Sequence, residues 1–148
     1  MRKFGIFIIV LFVLYEVYKY EKSGMNQLNE IFKIDALPDN SELIEFYFSG
    51  LGMDHHYLWK IDGNKLSNLE IINRIDAKIQ KKTSSSGCLS LSKEQAPNWW
   101  PVDDIEDVLW DSNEPKYDLY VKSLQYNSTV CVFNSLIDNT LYIQWFDI

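Results

Sequence analysis

An uninterrupted apolar run, Phe4 to Leu14 (FGIFIIVLFVL), stands directly behind Met1-Arg2-Lys3. It lacks the alternation of an amphipathic helix, so it does not fit the half-buried face of a small domain. A basic start followed by an apolar stretch is the order of a secretory signal. The residues behind it, Tyr15-Glu16-Val17-Tyr18-Lys19-Tyr20, hold no small-x-small cleavage site, and no cysteine follows that would mark a lipoprotein. A cleaved signal and a buried or interfacial helix remain alternatives, but an uncleaved anchor fits the residues best. As a helix, Phe4 to Tyr20 would span roughly 25 Å, against a hydrocarbon core of about 30 Å. Tyr15, Tyr18 and Tyr20 then fall at headgroup level, and Arg2 and Lys3 favour a cytoplasmic N-terminus.

The expected organisation is a signal anchor over residues 1–20, a juxtamembrane linker and short helix over 21–32, and a periplasmic α+β domain over 33–148. The expected location is a bacterial inner membrane, crossed once. The chain has 148 residues and a net charge of −7; residues 26–148 carry 10 basic and 19 acidic side chains. That acidity argues against a nucleic-acid partner, which needs a basic footprint.

Periodicity gives the elements. Asn26 can cap a short helix with Leu28, Ile31 and Phe32 on one face. Ser41–Ser49 and His55–Asp62 are rich in aromatic and branched residues and read as a hairpin. Ser67, with Glu70 three residues on, predicts a capping box. Leu69, Ile72, Ile75 and Ile79 then predict a helix to about Gln80. Val102–Trp110 has Ile105, Val108 and Leu109 at helical spacing, with acids in its first turn. Tyr117–Leu124, Thr129–Leu136 and Leu141–Phe146 predict a terminal β-meander, turning at Asp138-Asn139. The expected fold is α+β: an antiparallel sheet of about five strands, with one longer helix and short helices on one face.

Four groups of residues bear on chemistry. Cys88 and Cys131 are the only cysteines; in an exported domain they are expected to bond, the alternative being two buried thiols. His55 and His56 are adjacent, and neighbouring strand residues point to opposite faces, so they are poorly placed to share a metal ion. Seven acids (Asp103, Asp104, Glu106, Asp107, Asp111, Glu114 and Asp118) stand against one base, Lys116. They read either as a solvated face or as a surface for a basic partner. Trp99 and Trp100, between two prolines, and Trp110 read either as a small core over the sheet or as an exposed anchor. There is no Gly-x-Ser-x-Gly, Gly-rich phosphate loop or Cys-x-x-Cys, so no catalytic residue, metal or cofactor is expected.

The C-terminal half, with Asn98-Trp99-Trp100-Pro101, then Asp138-Asn139-Thr140-Leu141-Tyr142 and a terminal aromatic strand, resembles a group of small uncharacterised bacterial envelope proteins. Ala36-Leu37-Pro38-Asp39-Asn40-Ser41 and Asp54-His55-His56-Tyr57 extend the likeness over roughly residues 33–148. The resemblance implies a signal or anchor followed by one domain and carries over no catalytic residue. Such small exported proteins include candidates for immunity to antibacterial toxins, an analogy of size, charge and location. The expected function is therefore a membrane-anchored, non-enzymatic protein-binding domain, most concretely an immunity protein for a cognate toxin. An envelope accessory or assembly protein is the alternative. The expected partner surface is Trp99, Trp100, Asp103, Asp104, Asp107 and Trp110.

Overall fold

The structure, a computed structural model, describes residues 14–15, 24–51, 54–80, 88, 91–109, 116–124 and 128–147. The anchor expected over residues 1–20 lies outside them except at Leu14 and Tyr15, which are helical and exposed. Among the described residues no helix is long and apolar enough to cross a membrane.

Residues 24–32 form a helix, α1. There follow β1 (Glu42–Leu51), β2 (Asp54–Asp62), α2 (Lys65–Ile75), β3 (Lys78–Ile79), α3 (Val102–Leu109), β4 (Tyr117–Ser123), β5 (Thr129–Ser135) and β6 (Thr140–Asp147). The six strands make one sheet in the order β1-β2-β6-β5-β4-β3, with every neighbouring pair antiparallel. The expected hairpin and the terminal meander are both present. The additional strand is the two-residue β3, paired with Val121 and Tyr120 of β4.

Side-chain alternation divides the core between the two faces of this sheet. On the first face, Phe46, Trp59, Ile61, Val132 and Ile143 meet Leu28 and Phe32 of α1 and Ile71, Ile72 and Ile75 of α2. On the second, Leu58, Cys131, Phe133, Tyr142 and Phe146 meet Leu91, Trp100 and Ile105. Helices were expected on one face only; both faces are covered. The reason is β5, in which all seven residues are buried. Such a strand cannot leave one side to water.

The helix boundaries also correct the sequence reading. The cap of α2 is Asn64, whose side chain accepts from the N–H groups of Leu66 and Ser67, while Ser67 Oγ accepts from Asn64 N–H. Ser67 closes the capping box rather than opening it. The helix stops at Ile75 because Asp76 takes a left-handed conformation (φ 61°, ψ 35°). Asp76 N–H then donates to Asn73 O, and Ala77 N–H to Ile72 O, which satisfies the last carbonyls as a glycine end would. Ile79, expected on the helix's apolar face, is exposed on β3. Residue 24 is already helical, so Asn26 lies inside α1 rather than at its cap.

Two long-range ties fix the covers to the sheet. Asn68 of α2, fully buried, donates through Nδ2 to Asn134 Oδ1 (3.1 Å) and Asn139 O (2.7 Å). At the start of α1, Trp59 Nε1 donates to Gly24 O (3.0 Å). A Cβ on Gly24 would stand 2.8 Å from Leu43 Cδ2 and 3.0 Å from Phe46 Cβ, so a side chain here would have to push Leu43 or Phe46 aside. Leu43 and Phe46 share this face because Ile44 is bulged out of the β1–β2 register.

Cys88 and Cys131 form a disulfide, as expected, with a Cα–Cα distance of 5.9 Å. It pins the chain before α3 to the middle of β5. Replacing both cysteines by alanine should lower the unfolding free energy by about 2–4 kcal/mol, since the bridge restricts the unfolded chain. Urea denaturation of both forms measures the difference; equal midpoints would mean that the bridge adds no stability.

Candidate functional site

The sheet's second face carries those site residues expected from sequence that fall among the described residues. Leading into α3, Trp100 N–H donates to Pro97 O (2.9 Å) and Ile105 N–H to Pro101 O (3.0 Å). The Pro97–Pro101 turn therefore runs straight into the helix. α3 is strongly amphipathic: Ile105 is buried, Val108 and Leu109 are half-buried, and Asp103, Glu106 and Asp107 face water. Burial of Ile105 thus sets which side of the helix displays carboxylates.

Trp100 corrects the expected surface. It is only 4% exposed, with its ring edge-on to Phe133 (6.2 Å) and Tyr142 (5.7 Å). Phe133 and Tyr142 lie on the second face and leave a slot that a large aromatic fills, so Trp100 is core. Trp99 packs edge-on against Trp100 at 5.9 Å and stays half-buried. Trp110 lies outside the described residues. Of the expected surface, Asp103, Asp104 and Asp107 share α3, with Asp103 and Asp107 exposed, and Trp99 lies in the turn before it, partly exposed.

A cleft of about 380 Å³ opens here, lined in part by Lys93, Pro97, Trp100, Pro101, Asp103 and Asp104. Two lysines close on its acids. Lys93 Nζ lies 2.8 Å from Asp103 Oδ2, and Lys116 Nζ 2.5 Å from Asp104 Oδ1. The hydrogen bond to Asp103, then its charge and those of Glu106 and Glu94, holds the Lys93 ammonium above the usual lysine range. Asp104 does the same for Lys116, helped by Asp107. These exposed pairs add little stability. They leave a surface whose carboxylates are only partly neutralised. The sequence signalled Lys116 as the single base in an acidic run. It did not signal Lys93, which reaches Asp103 across ten residues.

Under α3, Tyr117 and Tyr142 stack edge-on at 5.9 Å. Burial raises both phenols above their ordinary range, Tyr142 to about 12, and the charges of Asp138 and Asp104 add to the effect. Neither ring is placed to act as an acid or base near neutrality.

The histidines diverge. His55 approaches Phe48 (5.7 Å) on the first face, and His56 approaches Phe146 (6.3 Å) on the second. Among the described residues, no three His, Cys, Asp or Glu side chains gather as metal ligands would. Comparison of the chain with protein-family models, with curated proteins and with solved structures gives no match.

Trp100→Ala should destabilise by about 3–5 kcal/mol, the usual range for emptying a buried aromatic site, while Trp99→Ala should cost far less. Thermal unfolding of both variants checks this; equal losses would mean that Trp99 is also core. Alkaline pH should separate the phenols. A folded-state pKa raised above the unfolded value gives stability that is present below pH 10 and lost as pH rises towards about 12. The melting temperature should fall across that window, and Tyr142→Phe should flatten the fall. An unchanged slope in Tyr142→Phe would place the titrating group elsewhere.

Proposed function

We propose that this chain is a membrane-tethered, exported protein-binding domain, most concretely an immunity protein that occludes a cognate antibacterial toxin. The observation that carries the reading is the Cys88–Cys131 disulfide, because such bridges persist in oxidising compartments. The basic-then-apolar start of the chain supplies the corresponding export signal and tether. A bacterial inner membrane with the domain in the periplasm is the location that joins them.

The binding surface is the solvent side of α3 with Trp99. Asp103, Asp104 and Asp107 present carboxylates on α3, the turn before it holds the partly exposed ring of Trp99, and the disulfide braces the segment that leads to them. A basic toxin surface would be steered there by charge and held by the ring. The domain then acts stoichiometrically, by covering the toxin rather than by chemistry. An envelope accessory protein would share the tether and the disulfide but would have no toxin to neutralise.

Co-expression with the product of the neighbouring gene, targeted to the periplasm, separates the two readings through survival. Rescue is expected with the full chain and should be lost on removing residues 1–25. It should also be lost in Trp99→Ala combined with Asp103→Asn and Asp107→Asn, with the melting temperature of that variant near wild type. A non-toxic neighbour or absent rescue would favour the accessory reading.

A further inference from the structure

The first face of the sheet carries an aromatic surface that the partner reading does not use. Phe48 and Tyr57 lie 4.8 Å apart between ring centroids, and Tyr57 stacks on Trp145 at 4.8 Å. His55 joins Phe48 at 5.7 Å. Phe48 is 46% exposed; His55, Tyr57 and Trp145 are half-buried. Rings of this size gain most when water leaves them, and their half-exposure leaves that gain partly unrealised.

Position suggests what meets them. The chain reaches the sheet at Gly24, whose carbonyl accepts from Trp59 and where a Cβ would stand 3.0 Å from Phe46. Phe48 and Tyr57 are each two residues along their strands from Phe46 and Trp59, on the same face, a displacement of about 7 Å. The expected anchor ends at Tyr20, four residues before Gly24. Four residues reach at most about 14 Å. An anchor ending there would hold the aromatic surface beside the bilayer, next to the point where the chain leaves it.

We infer that Phe48, His55, Tyr57 and Trp145 form a membrane-contact surface that seats the domain in the headgroup layer. This rests on the anchor reading above. Aromatic rings are favoured at that depth. The contact is apolar rather than electrostatic, because residues 26–148 carry 19 acids against 10 bases and anionic lipid would repel them. The acidic α3 lies across the sheet on the opposite face. Seating the first face on the membrane turns α3 and Trp99 outwards, towards soluble partners.

The test uses the full chain in vesicles of phosphatidylethanolamine and phosphatidylglycerol containing a headgroup spin-labelled lipid. Flotation reads the anchor, and quenching of tryptophan emission reads the contact. Quenching is expected in the wild type, with most of it lost in Trp145→Phe and retained in Trp99→Phe. Phe48→Ser, a change at a half-exposed edge position, should weaken it while the near-ultraviolet circular dichroism stays the same. Vesicle-bound chain whose quenching is absent, or is unaltered by Trp145→Phe and Phe48→Ser, overturns the contact and leaves the anchor intact. That result is also expected if a protein or the chain's own first residues cover the rings. A chain that does not float with the vesicles overturns both.

Discussion

The two strands at the middle of the sheet, β5 and β6, admit almost no water on either side. Val130 and Val132 of β5 press on the helices of the first face, while Cys131 and Phe133 press on the irregular cover of the second. Hydrophobic burial is worth roughly 25 cal/mol for each Å² of apolar surface removed from water. A strand loaded on both sides is therefore strongly stabilising only if both covers are in place. The other features follow from that demand. α1 is drawn down through Gly24, α2 is fastened through Asn68, and the chain from Cys88 to α3 is stretched over the far side.

That far side is assembled differently from the near one. Helices with regular apolar stripes cover the first face, whereas a short helix and a proline-bounded turn cover the second. Trp100 supplies there the volume that a longer helix would otherwise bring, and Cys131 provides a covalent fastening to the strand beneath. The acidic surface is thus a by-product of closing the core: Ile105 must point inwards, so Asp103 and Asp107 must point outwards. The carboxylates are displayed by a cover that is itself braced, which limits the ordering cost of binding.

Much of this was legible in the sequence. Aromatic and branched alternation located all five longer strands within a few residues, because each has at least one face that must be apolar. The cysteine pair was legible from its number, two cysteines in the whole chain. The end of α2 was not: the residue that turns left-handed is Asp76, and no glycine or proline announces it. The apolar repeat then carried the helix reading through Ile79, although that side chain is solvent-facing on β3. The sidedness of the helices was missed because a seven-residue strand buried on both faces (TVCVFNS) still looks like half of an alternating one. Trp100 illustrates the limit for sites. Adjacent tryptophans have the same composition whether one or both face out, and only the slot between Phe133 and Tyr142 decides which ring is swallowed.

The bridge between residues 88 and 131 has a topological consequence as well. It encloses α3 and β4 within a covalent ring. A single peptide bond cleaved inside that ring leaves two polypeptides that cannot diffuse apart while the sulfurs stay joined. Proteolytic nicking there would therefore change the number of chain ends without releasing the segment that carries Trp99 and the α3 carboxylates. Exposed to proteases, the domain would tolerate a cut in this stretch more readily than one between α1 and β1, where no such closure holds the pieces together.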